Sequence, residues 1–138
     1  MRQSLTTLEF RTSGRGLSEI TRDVAQWVAS TGLATGLLTL HCKHTSASLL
    51  ICENAAPAVR GDLLAWLDRI APEGPFYAHD DEGPDDMPAH LKSVLTGAGL
   101  SIPVAEGRMA LGTWQGVFLA EHRVRPHRRQ IVLHLLGE

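Results

Sequence analysis

Apolar and polar positions alternate in short runs over most of the chain, broken by glycine, proline and arginine, which is the rhythm of strands joined by turns. Between Ser4 and Thr12, Leu5, Leu8 and Phe10 are interleaved with Thr6, Thr7 and Thr12, and Ser13-Gly14-Arg15-Gly16 then turns the chain. From Leu17 the period changes. Ile20, Val24, Trp27 and Val28 follow at the spacing of one helical face and Thr31-Gly32 supplies a stop, predicting an amphipathic helix of about four turns. Leu37 to His44 predicts a strand with Leu38, Leu40, Cys42 and His44 on one face, and Ala47 to Glu53 its antiparallel return. Pro57 to Ala71 sets Val59, Leu63, Trp66, Leu67 and Ile70 at helical spacing, with Pro57 in the first turn and Pro72 beyond the end. A polar stretch running to Asp86 predicts no regular element, and a short helix follows from about Met87 to Thr96. Leu100 to Val104, Met109 to Leu111, Val117 to His122 and Gln130 to Leu136 complete a sheet built from hairpins. About three helices with mainly antiparallel strands predict an α+β fold, and with no repeat or linker the 138 residues read as a single domain, 1–138.

Charge removes some partners. Thirteen Lys plus Arg against fifteen Asp plus Glu leave no general field for nucleic acid or an anionic membrane, so any anion must be held locally. No stretch approaches the roughly 18 apolar residues of a membrane span, and the opening residues lack a secretory core, so a cytoplasmic location is expected. The predicted hairpin would bring Cys42 and Cys52 opposite each other; in a reducing compartment they read as two small apolar residues of a sheet.

The densest polar run is His79-Asp80-Asp81-Glu82-Gly83-Pro84-Asp85-Asp86-Met87-Pro88-Ala89-His90. Carboxylates so close repel, and call for a metal ion, a basic partner or full exposure. The front half reads as a solvated or subunit-bridging acidic loop. Asp86 and His90, four apart on a helix face, form a pair in which the carboxylate orients the ring or shares a cation with it, or else a capped helix start with a surface histidine. Lys92 lies on another face and reads as solvated. In His44-Thr45-Ser46-Ala47-Ser48, hydroxyls and free backbone N–H groups suit an anion, and a half-buried imidazole suits an acid, a base or a metal ligand; a plain Ser/Thr turn fits equally. Glu121 to Arg129 concentrates positive charge, with Arg123 and Arg129 beside the strands. Trp114 and Gln115, between Gly112 and Gly116, suit the wall of a pocket or a tight turn. His122, His127 and His134 read as structural or surface residues.

Together, the His44 to Ser48 segment, Glu53-Asn54, the Glu82 to His90 string and Leu111-Gly112-Thr113-Trp114-Gln115-Gly116 resemble the YjbQ family, also described as secondary thiamine-phosphate synthase enzymes. The resemblance implies an α+β homotrimer with a polar cleft near subunit boundaries. It also implies a transferase joining a pyrimidine pyrophosphate to a thiazole phosphate with loss of pyrophosphate. On that reading His44, His90 and Asp86 are catalytic or metal-binding, while Thr45, Ser46, Ser48, Trp114, Gln115, Arg123 and Arg129 bind the phosphorylated metabolite. A divalent ion follows: Mg2+ from the phosphates, Zn2+ if His44 and His90 meet. The alternatives are a trimeric metal- or phosphometabolite-binding protein without turnover, and a metal-assisted hydrolase.

Overall fold

The computed structural model describes residues 1–138. Its elements are β1 (Arg2–Arg11), β2 (Gly16–Glu19), α1 (Thr21–Ser30), β3 (Gly36–Cys42), β4 (Ala47–Glu53), α2 (Pro57–Ile70), α3 (Asp86–Thr96), β5 (Gly99–Ala105), β6 (Arg108–Met109), β7 (Gln115–Glu121) and β8 (Arg128–Gly137). All strand pairings are antiparallel, and the strands form a five-stranded sheet, β1-β8-β3-β5-β6, and a three-stranded sheet, β2-β7-β4. The α+β class with three helices is therefore as the hydrophobic pattern predicts.

Period-two patterning builds the core. Leu38, Leu40 and Cys42 of β3, Ile102 and Val104 of β5, and Ile131, Leu133 and Leu135 of β8 turn inward from the larger sheet. They share one apolar cluster with Ala47 and Leu49 of β4, Val117 and Leu119 of β7, and Ile20, Val24 and Val28 at α1, so both sheets close over a single core. Gly36 and Gly137 pair where β3 and β8 begin and end, so close that a Cβ on either would strike the other strand's backbone.

The smaller sheet is covered on its second face as well. Phe118 and Ala120 of β7 and Ser48 of β4 are buried there, and α3 and α2 pack against β4. Arg60 of α2 stacks over the Phe118 ring at 5.7 Å, and Lys92 of α3 reaches Asp68 of α2 at 2.6 Å. Lys92 is thus buried, contrary to the solvated position expected, because its helix face meets α2 rather than water.

Two other expectations fail for related reasons. The apolar period from Leu17 does not begin a helix there: Gly16–Glu19 pairs with β7 as an edge strand, and the helix starts at Thr21. Nor are β3 and β4 a hairpin. They belong to different sheets, and residues 43–46 carry the chain across the sandwich, so Cys42 and Cys52 are separate free thiols. A strand apolar on both faces fits either sheet, and the pattern alone does not choose its neighbour.

His122 follows β7 into the layer beneath α3 and is fully buried. Thr96 donates to the Lys92 carbonyl at 2.7 Å, so Ser48 donates to Thr96 and the His122 Nε2–H donates to Ser48 at 2.8 Å. Burial, with Lys92 nearby, lowers the His122 pKa to about 4. The unfolded chain takes up this proton below about pH 6.5, whereas the folded protein resists until pH nears the lower value, so stability falls as pH drops through that window. The expected contribution is a loss of about 2 kcal/mol between about pH 7 and about pH 5, reduced in His122→Gln. Urea unfolding at both pH values checks it, and an equal loss in both proteins refutes it.

Candidate functional site

The loop before α3, the first turns of α3 and the distant β7–β8 connection converge on the Asp86 carboxylate. Asp86 stands at the start of α3 and is buried, an unusual position for a carboxylate without partners. One turn on, His90 returns to the same face and brings its Nε2 to 3.2 Å from Asp86 Oδ2. The loop before the helix folds back so that His79 Nε2 lies 2.9 Å from the same oxygen. Arg123, in the β7–β8 connection, donates from Nη1 to Asp86 Oδ1 at 3.0 Å and from Nε to Asp85 Oδ2 at 2.9 Å, and also binds the Glu82 carbonyl. Gly83 makes the preceding turn with φ +102°, a conformation that suits glycine.

Burial by itself would raise the Asp86 carboxyl, but the hydrogen bond from His79 and the charges of His90 and Arg123 outweigh it and hold the pKa below the usual range. Asp86 is accordingly ionised near neutrality. One ligand atom each from His79, Asp86 and His90 lies within 4.8 Å of the others, close enough for all three to touch one ion.

The imidazole of His90 is set from behind. Its Nδ1 lies 2.9 Å from the Thr45 carbonyl, which can only accept, so Nδ1 carries a proton. With Nδ1 committed to Thr45, the contact of Nε2 with the carboxylate is satisfied by a second proton on His90 or by a cation shared with Asp86, and not by the lone pair of a neutral ring. His79 is in a similar position, with carboxylates at both nitrogens: Asp86 at Nε2 and Asp81, 3.4 Å away, at Nδ1.

Residues 44–46 are clamped by a second, more deeply buried group. Arg129 of β8 pairs with Glu121 of β7 through Nε and Nη2, and its Nη2 also donates to the carbonyl and hydroxyl of Ser46. Thr12 donates to Glu121 at 2.6 Å. Against the effect of burial, which raises it, these donors lower the Glu121 pKa. His44 Nε2 accepts the Gln130 N–H at 2.7 Å, and burial followed by the charge of Arg129 lowers its pKa.

The expected site residues thus divide. Asp86 and His90 come together, and Thr45 joins them through its carbonyl, while the Ser46 hydroxyl and carbonyl accept from Arg129. His44 and His90 line one cleft of about 350 Å³, but His44 is not among the three clustered ligands, because its lone pair is taken by the backbone of β8. Arg123 and the Nε and Nη2 side of Arg129 are held in internal ion pairs, since the nearby buried carboxylates demand them. Ser48 lies under α3 with His122. Trp114 and Gln115 sit at the far end of β7 from Glu121, roughly 20 Å away for a strand of that length. His79 and Glu121 were missed: His79 stands seven residues before Asp86, a spacing with no helical meaning, and Glu121 was hidden among arginines.

The family model described as UPF0047 protein YjbQ-like matches residues 6–138. The chain belongs to the YjbQ family. A UPF0047 protein of Synechocystis sp. is 47% identical over 99% of this chain and 94% of its own length. The UPF0047 protein YjbQ of Salmonella typhimurium is 42% identical over 96% of each. Among solved structures, a YjbQ/UPF0047 protein of Clostridium acetobutylicum superposes with a TM-score of 0.88 at 32% identity, covering 95% of this chain and 99% of that one. A conserved hypothetical protein of Thermus thermophilus gives a TM-score of 0.85 at 39% identity, with the same coverage of both chains. The α+β architecture of this YjbQ chain is therefore that of its relatives. No helix of the protein is long and apolar enough to cross a membrane.

Removing one member of the buried pair leaves the other charge unpaired. Arg129→Met is expected to destabilise the protein by about 3–5 kcal/mol in urea unfolding at neutral pH, with Glu121→Leu/Arg129→Met recovering much of the loss. A double variant as unstable as the sum of the two single ones would contradict the pairing argument.

Proposed function

We propose that this YjbQ protein is a divalent-metal-dependent protein of small phosphorylated metabolites, with His79, Asp86 and His90 as the protein ligands. One observation carries the reading. Two imidazole nitrogens face a single oxygen of an ionised carboxylate, while the other nitrogen of His90 is committed as a donor to Thr45. Positive charge between these groups completes the contact, either as a proton on His90 or as a metal ion, and for a metal ion three donors are to hand. Two imidazoles and a carboxylate suit Zn2+ better than Mg2+.

A metal so held would polarise a phosphate or pyrophosphate oxygen. The protein's own part is to keep Asp86 ionised through Arg123 and to fix the His90 tautomer through the Thr45 carbonyl. The transfer implied by family resemblance, a pyrimidine pyrophosphate joined to a thiazole phosphate, is the favoured reaction. With Arg123 and Arg129 internally paired, the metal carries much of the pyrophosphate charge on this reading. The same centre would serve metal-assisted hydrolysis or binding without turnover. Assembly as a homotrimer accords with Leu5, Leu37 and Leu136, exposed on one face of the larger sheet.

The protein is expected to bind Zn2+ stoichiometrically by titration calorimetry after chelation, with Asp86→Asn and His90→Ala weakened by roughly 10–100-fold or more. Thiamine phosphate formation is expected to track metal content. Wild-type protein that takes up no divalent ion would sink the reading; metal binding with no product from either reaction would leave the binding protein. Light scattering is expected to give three times the chain mass, and a monomer would refute the trimer.

A further inference from the structure

The geometry points to an oxyanion subsite at the His44 end of the cleft shared with His90, in which His44 Nδ1–H, with Arg129 Nη1 buried behind it, holds a phosphate or carboxylate group of the ligand. The hydrogen-bond directions support it. His44 Nε2 accepts from the Gln130 backbone N–H at 2.7 Å, so the neutral ring carries its proton on Nδ1. That Nδ1–H lies 3.5 Å from Arg129 Nη1, which has only protons to offer. Two donors therefore face each other without an acceptor between them.

Neither donor has another outlet within the protein. Nε and Nη2 of Arg129 take up Glu121 and Ser46, which leaves Nη1 with no acceptor. The arginine is nine-tenths or more buried, with 4% relative exposure, and its planar group is fixed by those bonds, so Nη1 cannot turn to water elsewhere. His44 is half-buried and lines the cleft of about 350 Å³, where ligand can reach it. An oxygen carrying negative charge satisfies both donors.

The rest of the cleft describes the ligand. Between His44 and His90 it is lined by Ala47, Val94, Gly97 and Ala98, a largely apolar floor. The fitting molecule is small, with an anionic group at the His44 end and an apolar or aromatic body lying toward His90. His44 thereby acts as a neutral donor to substrate rather than as a metal ligand. The subsite stands apart from the proposed metal centre, since none of its donors comes from His79, Asp86 or His90.

The test uses chelator-treated full-length protein with histidines labelled with nitrogen-15, titrated with inorganic phosphate and separately with acetate, followed by NMR. The expected result is a Nδ1–H tautomer for His44 whose resonances shift on titration. His44→Phe is expected to bind roughly 10–100-fold more weakly. Response to either anion supports the subsite, the tighter one naming the group. A Nε2–H tautomer at His44, no response to either anion, or undiminished binding by His44→Phe overturns it. Because every arm is free of metal, failure of the metal centre leaves this result unaffected, and a failed phosphate response leaves zinc titration unaffected. Should His44→Phe not fold, the tautomer and titration of wild-type protein decide alone.

Discussion

The ion pair between Arg129 and Glu121 joins the two sheets at the end of the core where the polar groups gather, and much of the local architecture hangs from it. Arg129 comes from the larger sheet, Glu121 from the smaller, and Ser46 from the crossing between them. Two charges so buried are tolerable only because Thr12, Ser46 and the backbone of Arg123 supply the remaining hydrogen bonds. The pair holds residues 44–46 in place, and with them the Thr45 carbonyl that fixes the His90 ring.

A continuous path of contacts thus runs from Glu121 through Arg129, Ser46 and Thr45 to His90 and Asp86. Arg123, two residues beyond Glu121, closes the path from the other side by binding Asp85 and Asp86. The cluster is held by a rigid frame of sheet and helix start rather than by the loop that brings His79, which suits a site whose ligands must keep their directions.

Much of the fold was legible because strands and helices impose different periods on apolar residues. Pro57–Ile70 and Asp86–Thr96 appear nearly where proline and glycine punctuation sets them, and β8 follows strict alternation of Ile131, Leu133 and Leu135. The errors fall where two sites compete for one segment. Leu17 fits a helix by spacing, yet the open edge of β7 claims Gly16–Glu19. Ala47–Glu53 pairs with β7 rather than β3, because a strand covered on both faces carries no mark of its neighbour.

By itself the sequence determined the α+β class, the family motifs and the single helical turn that joins Asp86 to His90, since these rest on local period and spacing. Tertiary structure decided which groups meet. His79 joins Asp86 only after the acidic loop folds back, Arg123 and Arg129 find partners in buried carboxylates, and His44 finds the Gln130 N–H across the sandwich. The physical reason is that a charge or lone pair takes its role from what lies opposite it. For these residues that partner is about 7 to 90 positions away in the chain, beyond the reach of any local pattern.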